Sequence, residues 1–133
     1  YADLALSLSA EGRYEEAKAA LHKADKMLNE SNFPYGLANR YNMHNRNSLV
    51  FMQACVQAGD TALAKKVGDA VKKDLRQQIA YYQSLKGSKA EFMQQEAYMA
   101  EELANRFEQM DNPASNRIEI PGKLMKPADS VNK

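Results

Sequence analysis

An all-α fold of antiparallel helical hairpins is what this sequence predicts, on three observations. Apolar residues recur at spacings of three and four in five segments, and no segment sustains an alternation of period two. Glycine (6) and proline (4) are scarce and fall mainly at the edges of those segments. The connections between segments are short, two to six residues, so successive helices must run antiparallel.

The first segment, Ala2 to Ala10, carries Leu4, Ala5 and Leu8 on one side and stops at Glu11-Gly12, where glycine supplies the left-handed conformation that ends helices. The second, Tyr14 to Glu30, repeats Tyr14, Ala17, Leu21, Ala24 and Leu28 against a charged opposite face. Ser31 to Gly36 is a break, because Pro34 disfavours helix at Phe33 and both Asn32 and Gly36 suit turns. The third segment, Leu37 to Ala58, is more polar, with a stripe of Leu37, Tyr41, Ser48, Met52 and Cys55 and with Phe51 and Val56 beside it. Gly59 is its expected cap, and Asp60 or Thr61 is placed to accept from the free amides of the next helix.

The fourth segment, Ala62 to Lys86, has a long stripe of Leu63, Val67, Val71, Leu75, Ile79 and Tyr82. Gly87-Ser88 interrupts it. The fifth, Lys89 to Asp111, uses Phe92, Met93, Met99, Leu103, Phe107 and Met110, and Asn112-Pro113 ends it. The expected organisation is one helical domain over residues 1–111, of about five helices, followed by an extended tail over 112–133. The fourth and fifth helices differ in charge. Seven basic residues lie between Ala62 and Lys89, and six acidic residues between Ala90 and Asp111. The expectation is that the two faces complement each other within one hairpin, with Lys72 and Glu101 pointing to solvent.

Composition narrows the function classes. Hydrophobic residues make up 44% and charged residues 26%, which is ordinary for a folded domain. The net charge of +1 gives no field that draws the chain to nucleic acid or to an anionic membrane. Mean hydropathy is −0.64, and no run reaches the length of a membrane span, so no direct membrane insertion by this segment is expected. One cysteine, Cys55, cannot form an internal disulfide; on an apolar stripe it is expected to be a small buried hydrophobe. The chain opens in mid-pattern at Tyr1-Ala2-Asp3-Leu4, as a fragment or a processed chain would.

Two stretches look alike, Gly12-Arg13-Tyr14-Glu15-Glu16-Ala17 and Gly59-Asp60-Thr61-Ala62-Leu63-Ala64. In each, glycine closes one helix, and an alanine five residues later begins the buried stripe of the next. This resembles the turn of a tetratricopeptide repeat (TPR), and implies a right-handed TPR-like stack with a concave side. The glycines stand 47 residues apart, where that family repeats at about 34, so these helices are longer.

The succession of Gly12 to Ala17, Asn32-Phe33-Pro34-Tyr35, Ala58-Gly59-Asp60 and Tyr81-Tyr82-Gln83-Ser84-Leu85 also resembles the soluble C-terminal region of a Bacteroidetes family of multi-pass membrane proteins. That family is of unknown function and is similar in its membrane part to protein O-mannosyltransferases. The resemblance covers about residues 1–111 and implies a periplasmic location on a membrane-embedded parent. It carries no catalytic residue onto this chain. Asp60-Thr61-Ala62 and Asp129-Ser130-Val131 resemble the O-glycosylation acceptor motif of exported Bacteroidetes proteins, with the tail copy the better candidate.

No catalytic, cofactor-binding or metal-binding residue is expected. His22 and His44 lack the spacing of a metal site, the adjacent pairs Glu15-Glu16 and Glu101-Glu102 diverge on a helix, and every glycine stands singly. One stretch stands out, Asn39 to Asn47, which is amide-rich for a helix interior. Asn39, Tyr41, Asn42, His44 and Asn45 are the candidate lining of a polar groove that takes a peptide or sugar; bonding between helices is the alternative. Seven methionines are a second sign of an adaptable groove, if they are not core packing. The function expected is a non-catalytic helical-repeat module that binds a protein or peptide, either as an accessory region of a glycosyltransferase-like parent or as a free-standing scaffold. A pocket joining His44 to two carboxylates would instead indicate an enzyme.

Overall fold

The computed structural model describes residues 1–111, and they are all-α. Six helices follow one another: α1 (Ala2–Ala10), α2 (Tyr14–Glu30), α3 (Met43–Ala58), α4 (Thr61–Ser84), α5 (Gly87–Phe92) and α6 (Gln94–Asp111). A single 3-10 turn, Arg40–Asn42, leads into α3. The expected tail and the tripeptide Asp129-Ser130-Val131 lie outside the described residues.

Each long helix packs on the next, α1 on α2, α2 on α3, α3 on α4 and α4 on α6. Alternate helices also touch, α1 with α3 and α3 with α6. The core runs through the middle of this arrangement. Phe107, Leu21, Met52, Leu75, Val67 and Val71 are its largest fully enclosed side chains. Gly68 admits the thioether of Met52, whose Sδ lies 3.1 Å from where a Cβ on that glycine would stand.

Three helices end in the same way. Gly12 (φ +79°), Asn32 (φ +55°) and Gly59 (φ +82°) are left-handed, and the next residue's amide reaches back five positions. These bonds run from Arg13 to the Leu8 carbonyl, from Phe33 to Leu28 and from Asp60 to Cys55, at 2.8–2.9 Å. The two stretches that look alike in sequence therefore build the same turn, and Ala17 and Ala64 beyond them are both buried. Asp60 also caps α4, its Oδ1 accepting from the Leu63 amide at 3.1 Å.

Four details depart from expectation. α3 starts at Met43 rather than Leu37, because Tyr41 and Asn42 both take left-handed backbone (φ +57° and +53°) and break the spiral there. Leu37 and Tyr41 are consequently exposed. The fifth segment is divided at Met93 into α5 and α6, which puts Phe92 out of phase with the buried stripe of Ala100, Leu103 and Phe107 and leaves it 85% exposed. Leu4 and Tyr14 stand half in solvent although both were placed on buried stripes. Lys72 is buried rather than outward, with its ammonium paired to Asp111 and within 3.9 Å of Glu108. α4 and α6 therefore do meet through opposite charges, with the lysine end largely withdrawn from water and the carboxylates open to it.

These placements set an order of sensitivity that thermal denaturation can check. Leu75→Ala and Leu103→Ala should each cost about 2–5 kcal/mol, as cavities left by buried leucines do. Lys72→Ala should cost about 1–3 kcal/mol, because it removes a packed alkyl stem and leaves Asp111 without its cation. Glu101→Ala, on an exposed position, should stay within about 0.5 kcal/mol.

Candidate functional site

The asparagine-rich stretch is where the chain leaves its left-handed turn and enters α3. Asn39 stays exposed, and its side-chain oxygen accepts from the His44 amide at 3.0 Å, tying the entry turn together. Tyr41 projects into solvent, with the Arg40 guanidinium 5.1 Å from its ring centre. His44 is half-buried; its Nε2 donates to the Pro34 carbonyl at 2.8 Å and its ring meets Phe33 edge-on at 5.0 Å.

Asn42 and Asn45 are enclosed, 2% and 0% exposed. Asn42 and Gln78 exchange amide hydrogen bonds, the Asn42 Nδ2 donating to Gln78 Oε1 at 3.0 Å and the Gln78 Nε2 to Asn42 Oδ1 at 2.9 Å. Asn45 donates to Asn42 Oδ1 and to Asp74 Oδ2, and accepts from the Leu37 amide at 3.0 Å. Gln78 also donates to Asp74 at 2.7 Å. The candidate lining is thus divided. Asn39 and Tyr41 face water, His44 clamps the preceding turn, and Asn42 and Asn45 are corrected from groove residues to members of a closed internal network. Polarity marked the stretch correctly as unusual, but the partners that consume it come from α4.

A second network joins α2 to α4 and to the turn between α2 and α3. Asp25 accepts from the Tyr35 hydroxyl at 2.6 Å and from the Lys66 ammonium at 2.9 and 3.0 Å. Burial alone would push the Asp25 carboxyl up, but the hydrogen bonds from Tyr35 and Lys66 outweigh it and hold the group below the usual carboxylate range. Burial pushes the Tyr35 phenol up, and its bond to Asp25 adds to the rise. His22 Nε2 donates to Asp60 Oδ2 at 2.5 Å, so His22 is exposed but engaged. Cys55 is fully buried close by; burial, then the charges of Asp60 and Asp25, push its thiol up to about 12, which makes it a poor nucleophile.

What these networks leave open is a groove of about 440 Å³ between α3, α4 and the end of α6. Val56 and Met110 give it an apolar surface, backed by the buried Met52 and Ala64. Its rim carries the ion pair of Lys65 with Asp69, at 2.8 Å, and that of Lys72 with Asp111. Reading the asparagines missed this site. The methionines were the signal that could have found it, since two of the seven lie here. Among the described residues, no group of three or more His, Cys, Asp or Glu is placed to hold a metal ion, and no helix is long and apolar enough to cross a membrane.

Two outcomes follow for the networks. Asn45→Leu should cost about 1–3 kcal/mol or more in chemical denaturation, because it leaves the buried Asn42 and the Leu37 amide short of partners. Asp25 contributes stability above about pH 4, the ordinary carboxylate value, and loses it as pH falls through its lower folded value. Asp25→Asn should therefore be less stable by about 1–3 kcal/mol at pH 7, with the gap to the native chain closing as denaturation curves are taken below about pH 4. In comparisons with protein-family models, curated proteins and solved structures, nothing matches this chain.

Proposed function

We propose that this chain is a non-catalytic helical-repeat module that binds a protein or peptide partner. The observation that carries the reading is the groove between α3, α4 and α6, apolar on its floor and edged by paired charges. Such a surface suits a peptide that lays one or two apolar side chains onto Val56 and Met110 and meets the rim with polar groups. A TPR-like arrangement of hairpins is consistent with the recurring left-handed turn and with the contacts between alternate helices. A non-catalytic role is supported by the employment of the clustered ionisable groups. Asp25, Lys66, His22 and Asp60 are each satisfied by one another or by Tyr35 and the cap of α4.

In this reading the module is an accessory region of a membrane-embedded, glycosyltransferase-like parent, displayed on the periplasmic side. That part rests on the sequence resemblance alone. A reading frame around the chain that encodes many hydrophobic spans favours it; one that encodes a protein without them favours a free-standing scaffold.

The groove is tested by selecting binders from a displayed peptide library on the whole chain and measuring their affinity for Val56→Asp. Val56 is 40% exposed, so its replacement leaves the core in place, which a thermal melt verifies. Affinity should fall at least tenfold, about 1.4 kcal/mol. Selected peptides that bind Val56→Asp as well as the native chain would place recognition elsewhere and reject the groove.

A further inference from the structure

The last two described residues, Met110 and Asp111, line the groove, and α6 points along it. Glu108 lies 3.9 Å from the Lys72 ammonium, while a Cβ on Gly68 would stand 3.6 Å from Asp111 Oδ1. Later residues of α6 thus meet earlier residues of α4, and the helix runs toward the first turn of α4. Thr61, in that turn, lines the other end of the groove. Seven residues of helix separate it from Gly68, a rise of about 10 Å. The chain that follows Asp111 therefore sets out at the edge of the groove, heading down its length.

The sequence continues from there as Asn112-Pro113-Ala114-Ser115-Asn116-Arg117-Ile118-Glu119-Ile120-Pro121-Gly122. Pro113 disfavours helix at Asn112, and asparagine, proline and serine suit a turn over the first five residues. Ile118 and Ile120 alternate with Glu119, so an extended backbone sets both isoleucines on one side, about 7 Å apart. Two such side chains suit a groove of about 440 Å³ surfaced by Val56 and Met110. Charge agrees with this pairing. Around the groove Lys65 and Lys72 stand against Asp69, Glu108 and Asp111, one carboxylate in excess, and all three carboxylates are open to water. Arg117 precedes the isoleucines and Lys123 follows them, which brings a basic group to either side of that excess.

We propose that residues 117–120 of this same chain occupy the groove, with Ile118 and Ile120 laid on Val56 and Met110, and that a partner peptide binds by displacing them. The displacement rests on the groove being the peptide site proposed above, and it adds a regulator and a specificity to that site. The favoured partner carries two branched apolar residues, one residue apart, next to a basic one. Seven residues lead from Asp111 to Ile118, and a tether this short gives the segment an effective concentration in the millimolar range. A weak contact is then enough to keep the groove filled until a better ligand arrives.

The test uses the full chain with its isoleucine and valine methyl groups labelled for NMR. The chain has three isoleucines, Ile79, Ile118 and Ile120, and five valines, so substitution assigns each signal. A nuclear Overhauser effect should join the Val56 methyls to Ile118 or Ile120, and dilution should leave it unchanged. The double variant Ile118→Ser, Ile120→Ser should move the Val56 signals and leave those of the buried Val71 in place. It should also bind the library-selected peptides about threefold or more tightly, because a tethered competitor is gone. Absence of the Val56 contact overturns the proposal, and so does unchanged peptide affinity in the double variant. A contact seen only between differently labelled copies, and lost on dilution, overturns it as well by giving the groove to a second copy. Val56→Asp separates the two readings. If it weakens the peptides while the native chain lacks the contact, the peptide site stands and the internal occupant falls. If the contact is present while the peptides ignore Val56→Asp, the internal occupant stands and the peptide site falls.

Discussion

Between α2 and α3 the chain spends residues 31–42 outside any α-helix, and the exchanged hydrogen bonds of Asn42 and Gln78 decide where that length of backbone goes. Pinned at Asn42 and again at Leu37 by Asn45, the segment has to run along α4. It runs so close that a Cβ on Gly36 would sit 2.5 Å from the Ala70 carbonyl oxygen. That course delivers Tyr35 to Phe51 on one side and to Asp25 on the other, so one turn contacts α2, α3 and α4 together. The left-handed backbone is tolerated by Asn42 but strained at Tyr41, and it persists there because the amide network fixes the chain on either side. A polar interaction buried among apolar helices thus determines how the apolar surfaces meet.

Much of this was legible in the sequence, and the parts that were not share a cause. Periodicity located α1, α2 and α4 almost to the residue, and glycine announced the ends of α1 and α3, because those signals are local. The start of α3 was hidden because asparagine permits a helix and a left-handed turn alike, and the choice between them is made by Asp74 and Gln78, 29 residues from Asn45 and 36 from Asn42 in the chain. The same distance in sequence disguised the candidate site. An amide that binds a ligand and one that binds a neighbouring helix are spelled identically.

Lys72 teaches the complementary lesson. On a helical wheel it is one basic residue among several, and charge alone assigns it to water. Asp111, 39 residues away, is what permits its burial, together with a side chain long enough to lie along the core before reaching its partner. Phe92 errs in the other direction, an aromatic ring left exposed because the helix it was assigned to is interrupted one residue later. In both cases residue type was a sound guide to preference, and the local phase of the backbone, which depends on distant contacts, overrode it.

Cys55 turns these arrangements into a clock. It is fully enclosed on α3, close to the carboxylates that hold α2 and α4 together, and its sulfur is kept in the unreactive thiol form. A thiol reagent can reach it only after α3 parts from its neighbours, so the rate of alkylation counts how often that happens. One native atom, with no label introduced, reports the opening of the centre of the molecule while the helices at its ends are free to fray unnoticed.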